Sequence, residues 1–445
     1  MYFLYYVLNF LILILSSYIV KYLFNNSNKD NSNNKRIKIG LLTNEIPPII
    51  YGGVATWIVN FIKMFKDNDD LEVIPIFLAY ADAYRVNLIK NKYDNLRIIY
   101  NEDEIQSAFE DIDICVNNIW IALNTIVEIK KHFPKLPILS VCHSLIKKEH
   151  LTNLGSVYTN NFFEQEITFS NSDAVILISE AEKKYYDEFD YDKYGAETFV
   201  IYNSYVPKYD DKYLDFDYSN NNIGYIGRHV PRKRPELPIL SVFKTGRNDV
   251  KVFNMGVDNK EGPNVYWEKL QEIFEKQLVV IPFTSNRQVI DNYWKNVGVN
   301  CITGIYEPFG YTICEALDRR IPLIVQNIDG PSEIIKGYED NVFMYNVDSD
   351  DLANDVNNFS IALEQFWNTT PEERKENSYK ARKALENFKP EIIGEKWEEL
   401  FKKCMDGSIK IRDCNENSKS FTKSELYKSF NDISNSIDFL VNQLD

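Results

Sequence analysis

The chain has 445 residues, 44% of them apolar and 26% charged, and a net charge of −15. That length is too great for one ordinary hydrophobic core and predicts two globular domains. The negative balance excludes a general nucleic-acid binder, which needs a basic surface against phosphate, but leaves room for a local basic pocket.

Residues 1–24 open the chain with an apolar run whose first 20 residues carry no charge. That is about the length that spans a bilayer. No basic stretch precedes it and no small-residue cleavage site is plain, so a transmembrane or signal-anchor helix is expected over a cleaved leader. Lys21, Lys29, Lys35, Arg36 and Lys38 follow. By the positive-inside rule the anchored body faces the cytoplasm. Residues 25–35, rich in Asn, Ser and Lys, read as a flexible tether.

Residues 36–207 read as a first α/β domain. Ile37–Leu42 is a buried strand, and Val54–Phe65 has the apolar spacing of a helix. Further short strands are expected at Leu71–Leu78, Asp113–Val116, Leu136–Cys142, Ala174–Ile178 and Phe199–Asn203, with Ser179 capping a helix that begins Glu180-Ala-Glu182. Residues 208–222, rich in Asp, Tyr and Asn, read as the interdomain linker.

Residues 223–405 repeat the pattern. Strands are expected from Ile223 and near Val250–Met255, Leu278–Ile281, Asn300–Thr303 and Pro322–Gln326. Helix follows from Pro371 to Met405, broken near Phe388 to Pro390. Strands alternating with helices indicate parallel sheets, so the expected fold class is α/β, with two Rossmann-like domains facing a cleft. Residues 406–445 form a polar tail ending in Leu426, Phe430, Ile433, Ile437, Leu440 and Leu444. This heptad spacing suits either a short self-association helix or an amphipathic helix packed on its own body.

Cys115, Cys142, Cys301, Cys314, Cys404 and Cys414 include no pair with zinc spacing. Four lie in apolar runs, where a thiol behaves as a small hydrophobe, so a reducing compartment is expected. The triplets Asp111-x-Asp113, Asp215-x-Asp217 and Asp348-x-Asp350 occur at a frequency an acidic chain produces by chance.

Four motifs carry chemistry. In Gly304–Leu317 (GIYEPFGYTICEAL) the carboxylates Glu307 and Glu315 flank a Pro-Phe-Gly turn that opens a helix. Backbone N–H groups at such a turn suit an anion, and the acids suit neutral hydroxyls beside it. Phosphate and hydroxyls together describe a nucleotide-sugar. After the first strand, Gly52 and Gly53 let backbone approach a ligand, or simply make a tight strand-to-helix turn. After the first strand of the second half, Gly227 to Pro235 holds Arg228, Arg232, Lys233 and Arg234. Arg228 and Lys233 can point into one cleft and neutralise a diphosphate without a metal. His143 ends the strand that finishes at Cys142, where an open α/β sheet faces its ligand. Asp329 to Glu333 follows the next strand and is either part of the same rim or a local turn and cap.

In combination these motifs resemble the retaining glycosyltransferases of family 4 (glycosyl transferases group 1), which have the GT-B fold. The likeness runs from about Lys38 to Phe401. Pro47 to Gly53 resembles the family's Pro-x(n)-Gly-Gly loop, Asn171 to Glu180 its Ala-Asp, strand, Ser-Glu stretch, and Glu307-x7-Glu315 its signature. Asn254-Met255-Gly256 matches a glycine at the end of the next strand. Val200 to Asn203 departs from the family pattern, with Tyr202 where proline stands and Ser204 where glycine stands.

The resemblance implies that Glu307 holds donor-sugar hydroxyls and Glu315 the ribose hydroxyls. Arg228 and Lys233 would bind the diphosphate as leaving group, with backbone at Phe309, Gly310, Tyr311 and Thr312 holding phosphate. His143 would contact the sugar, and Gly52 and Gly53 would approach the diphosphate from the first domain. It implies no metal and no cofactor, the nucleotide-diphosphate-sugar being a co-substrate. The alternative is a protein of the same fold that binds a nucleotide-sugar or glycan without transferring it. The acceptor, whether glycan, lipid or protein, is not legible; its specificity is expected in the loops Ala79–Lys92 and Leu145–Glu166.

Overall fold

The computed structural model describes residues 36–79, 86–119, 123–153, 159–209, 216–257, 265–348 and 351–412. The expected anchor (1–24), the tether (25–35) and the heptad-spaced segment 426–444 lie outside them. Among the described residues no helix is long and apolar enough to cross a membrane.

Two parallel sheets build the molecule. The first holds β1 (Ile37–Thr43), β2 (Leu71–Leu78), β3 (Arg97–Ile99), β4 (Ile114–Asn117), β5 (Ile138–Cys142), β6 (Ala174–Leu177) and β7 (Glu197–Val200), in the order β3-β2-β1-β4-β5-β6-β7. The second holds β8 (Ile223–Ile226), β9 (Val252–Val257), β10 (Leu278–Pro282), β11 (Val299–Ile302), β12 (Leu323–Gln326) and β13 (Phe343–Tyr345), in the order β10-β9-β8-β11-β12-β13. The central strands are buried along both faces and are therefore mostly apolar rather than alternating.

Helices cover the sheets. In the first half these are α1 (Gly53–Met64), α2 (Ile105–Phe109), α3 (Leu123–His132), α4 (Ile146–Thr152), α5 (Thr159–Ser170) and α6 (Glu180–Glu188). In the second they are α7 (Leu237–Thr245), α8 (Val265–Ile273), α9 (Arg287–Asn296), α10 (Tyr311–Asp318), α11 (Asp329–Ile334), α12 (Leu352–Asn368), α13 (Pro371–Ala381) and α14 (Pro390–Met405). Ser179 does cap α6, its hydroxyl accepting from Glu182 N.

The last helix crosses back to the first half. On α14, the Trp397 ring lies 5.1 Å from Phe61 of α1 and Phe401 lies 5.9 Å from Phe65, the residue that caps the C-terminus of α1. Asn68 Nδ2 donates to Glu398 Oε1 at 2.8 Å beside them. This aromatic seam fixes α1, and α1 in turn carries Gly53 at its N-terminus.

The strand order reverses between β1 and β4 in one sheet and between β8 and β11 in the other. Ligands of open α/β sheets bind in the crevice outside the strand ends at such reversals. The loops leaving those four strands hold Glu45, Gly52 and Gly53, then Asn118, then Arg228 and Lys233, then Glu307. The topology thus collects chemistry from positions far apart in sequence.

Candidate active site

The second domain's half of the site starts at the end of β8. Gly227 N donates to Met255 O at 3.0 Å, which brings the ends of β8 and β9 together. Gly256 has φ 124°, and a Cβ there would sit 2.0 Å from Gly227 O, so only glycine permits this approach. The basic run that follows is then dispersed. His229 turns its ring onto Trp267 at 4.3 Å, and burial lowers its pKa to about 4. Arg234 is spent on an ion pair with Asp355. Arg232 is 3% exposed and bonds protein atoms only. Arg228 is exposed and makes no ion pair among the described residues. Lys233 is ion-paired with Glu307.

Lys233 and Glu307 are held by their backbones. Lys233 O accepts from Thr303 Oγ1 at 2.7 Å; Glu307 N donates to Asp329 Oδ2 at 3.2 Å and its carbonyl accepts from Gly330 N at 3.1 Å. Burial pulls the Lys233 pKa down to about 8, opposed by the Glu307 carboxylate. Past Glu307, Gly310 adopts φ 105° as the N-cap of α10, and no side chain caps its first amides. Phe309 is core: its ring lies 5.3 Å from Tyr311 and 5.5 Å from Phe388, so only its backbone is free for a ligand. Thr312 and Glu315 are partly exposed on α10. Burial raises the Glu315 carboxyl, and Arg319, Lys208 and Arg287 pull it back.

The first domain supplies the facing wall. Gly52 and Gly53 are exposed at the start of α1, where no side chain caps the helix. A Cβ on Gly53 would lie 3.8 Å from the Tyr311 ring, so the two domains meet here. His143 follows β5 with Nε2 against Asn118 Oδ1 and its ring edge-on to Trp57 at 5.1 Å. Burial lowers its pKa to about 3, so the imidazole is neutral near pH 7. Glu45 follows β1; burial raises its carboxyl and the charge of Arg228 opposes this.

Several partnerships at the site had no signal in the sequence. Arg232 donates through Nη2 to Glu149 Oε1 of α4 at 2.8 Å and through Nη1 to Tyr306 O at 3.1 Å. Tyr306 Oη accepts from Leu145 N at 2.8 Å, and Ser144 Oγ donates to Glu149 Oε1 at 2.6 Å. Burial pushes the Glu149 carboxyl up, but Arg232, Arg228 and Lys233 outweigh it and hold the group below its ordinary value. The Asp329 to Glu333 stretch is not a local cap. Glu333 instead receives Glu180 N at 3.0 Å and Ala181 N at 2.7 Å, capping α6 from the other domain, and Asp329 accepts from Tyr185 Oη at 2.8 Å. An Asp or Glu partnered across such sequence distances leaves no spacing pattern to read.

Among the described residues no group of three or more His, Cys, Asp or Glu side chains is placed to hold a metal ion. The five described cysteines are free and buried, and burial raises each thiol.

Residues 210–384 match the sequence model of the glycosyl transferases group 1. An uncharacterized glycosyltransferase of Methanocaldococcus jannaschii is 22% identical over 349 residues, covering 71% of this chain and 87% of that protein. Sucrose-phosphate synthase from Thermosynechococcus elongatus superposes with a TM-score of 0.65 at 15% identity, over 84% of this chain and 100% of that one. Anabaena HepE in complex with UDP-glucose superposes with a TM-score of 0.60 at 18% identity, over 82% and 100%. With two parallel-sheet domains meeting at their strand ends, the chain shares the fold of these structures, and its residues 210–384 are similar to the glycosyl transferases group 1.

Proposed function

We propose that the protein transfers a sugar from a nucleotide-diphosphate-sugar to an acceptor hydroxyl, with retention of anomeric configuration and without a metal ion. The observation that carries this is the presence at the end of the first strand of the second sheet of two cations, Arg228, exposed and without an ion pair among the described residues, and Lys233, paired with Glu307. Both act on carboxylates of the first domain, Arg228 on Glu45 and Glu149 and Lys233 on Glu149. UDP-glucose, the ligand bound to HepE, makes uridine diphosphate-sugars the first donors to examine.

In this reading the anomeric C–O bond to the diphosphate breaks as the acceptor oxygen bonds the same carbon from the same face. The acceptor's proton passes to the departing phosphate oxygen. Negative charge grows on the diphosphate, and Arg228 and Lys233 are already placed to receive it, which lowers the barrier without reorganisation. Glu307 shares Lys233 in the free protein and turns to sugar hydroxyls in the complex. Glu315 takes the ribose hydroxyls, and the amides of Gly310 to Thr312 take phosphate. His143, being neutral, serves as a hydrogen-bond partner of the sugar rather than as a cation. Closure of the cleft excludes water that would hydrolyse the donor. Residues 1–24 anchor this body to a membrane, with the positive flank on the cytoplasmic side.

The test is turnover of labelled UDP-glucose and other nucleotide-sugars by wild type and by Arg228→Ala/Lys233→Ala. We expect the double variant to lose about a hundredfold or more in kcat while its melting curve stays close to wild type. Normal transfer by the double variant refutes the assignment, and label that binds without ever being transferred by wild type indicates a binding protein.

A further inference from the structure

The turn that carries Glu307 is held by the loop that leaves β12. Asp329 opens α11 there with φ 53°, a left-handed conformation that a residue with a side chain adopts at some cost. Its carboxylate is engaged at both oxygens. Oδ2 accepts from Glu307 N at 3.2 Å, and Oδ1 accepts from Tyr185 Oη at 2.8 Å. Glu307 belongs to the second domain, whereas Tyr185, on α6, belongs to the first. The next residue, Gly330, donates its N–H to Glu307 O at 3.1 Å. A Cβ on Gly330 would lie 2.4 Å from Pro308 O and 2.6 Å from Phe309 Cα, so the Glu307 turn rests directly on the start of α11.

Tyr185 is itself fixed from both sides. Lys148 Nζ of α4 lies 4.0 Å from the centre of its ring, and the Tyr306 ring meets it edge-on at 5.9 Å. Tyr306 immediately precedes Glu307. Farther along α11, Glu333 accepts from Glu180 N at 3.0 Å, Ala181 N at 2.7 Å and Tyr202 Oη at 2.7 Å, so the helix is braced on the first domain at a second point. A local turn needs neither a left-handed aspartate nor a partner in the other domain, because glycine makes the same turn without strain. The strain is kept where one carboxylate bridges two domains.

We propose that Asp329 is a positioning residue for the donor sugar: it joins Tyr185 of the first domain to the backbone of Glu307, so the carboxylate that takes sugar hydroxyls is set in place only where the two domains meet; this rests on the glycosyltransferase reading above. Asp329 touches neither donor nor acceptor and acts through Glu307. The part of the donor it governs is therefore the sugar. The nucleotide diphosphate is held in that reading by Arg228, Lys233, Glu315 and the amides that follow Gly310, none of which bonds Asp329.

The experiment measures Kd for UDP-glucose and for UDP by calorimetry, and for other nucleotide-sugars and their diphosphates where that pair does not bind. The ratio of the two constants reports the sugar contacts, which a general loosening of the fold would not single out. Asp329→Gly keeps the left-handed backbone and removes both acceptors. We expect it to weaken UDP-glucose by about tenfold and UDP by less than about twofold. In Asp329→Asn the amide oxygen can still accept from Glu307 N while the NH2 group donates to Tyr185 Oη, so the ratio should return to within about threefold of wild type. Tyr185→Phe should move the ratio in the same direction as Asp329→Gly by about threefold, and should add nothing when combined with it. Equal weakening of both ligands in Asp329→Gly, or no weakening, overturns the inference. So does an Asp329→Asn protein no better than Asp329→Gly, or a Tyr185→Phe effect that adds in full to that of Asp329→Gly. If Asp329→Gly does not fold, Tyr185→Phe decides alone, and an unchanged ratio there overturns the inference. If wild type binds no nucleotide-sugar at all, the glycosyltransferase reading itself has failed and this inference falls with it.

Discussion

Lys233 shows how one side chain reports the state of the whole site. Its ammonium is buried beside Glu307, and burial brings its pKa down to about 8. In the proposed role the protonated form binds diphosphate, and that cation is lost as pH rises through about 8. We therefore expect kcat/KM, which reports the free enzyme, to fall on an alkaline limb near pH 8. Lys233→Arg should move that limb beyond the range of measurement, because a guanidinium stays charged. A pH profile with the same limb in both proteins would assign it to another group. His143 contributes no limb near neutrality, since its imidazole is already uncharged there.

At the scale of elements, α6 and α14 tie the halves together by different physics. The α6 N-terminus is capped twice, by Ser179 from its own chain neighbourhood and by Glu333 from α11 across the cleft. A carboxylate at a helix N-terminus satisfies orphan amides and meets the positive end of the dipole. The α14 seam is apolar: Trp397 is buried against Trp57 and Phe61 and packs on Phe401. Trp397→Ala should destabilise the protein by about 3–5 kcal/mol, read as a fall in melting temperature. It should also loosen α1, so nucleotide-sugar affinity should drop although Trp397 is not itself at the site. Strong loss of stability with unchanged affinity would show that α1 holds Gly53 in place unaided.

The same division decides what could be read in advance at this scale. Strands such as Ile37–Thr43 and Leu71–Leu78 are long apolar runs and announce themselves. The edge strands Arg97–Ile99 and Phe343–Tyr345 do not, because three residues carry no pattern and are held by one neighbour each. The site residues divide likewise. Gly52, Gly53, Lys233 and Glu307 sit in motifs with local spacing. Asn118 lies 25 residues from His143 and Arg232 lies 83 from Glu149, and these pairs exist only because strands and domains are juxtaposed.

For the molecule as a whole, the contact between domains includes a buried acid. Glu182 has Oε2 accepting from Leu145 N at 3.2 Å, and burial raises its pKa to about 8, with Tyr306 opposing and Asp329 adding. Its folded pKa thus lies above the ordinary value of 4.5. The folded state keeps a proton that the unfolded chain releases. Stability from this group is full below the ordinary carboxylate pKa and is lost as pH rises toward about 8, at up to about 1.4 kcal/mol per pH unit. Glu182→Gln should flatten the dependence of melting temperature on pH between about 5 and about 8. An identical slope in the variant would place the acid's titration elsewhere.

The sequence by itself determined the two α/β halves and the loops in which the glycine, basic and acidic motifs sit. It could do so because strand length, helix spacing, Gly-Gly turns and the Glu307 to Glu315 interval are local properties of a chain. Only the tertiary structure decided which of four basic residues face the cleft. Arg232 and Arg234 are consumed by Glu149 and Asp355, while Arg228 is left open and Lys233 shares Glu307. A charge finds its partner through space, and at the meeting of two domains that partner has no fixed distance along the chain.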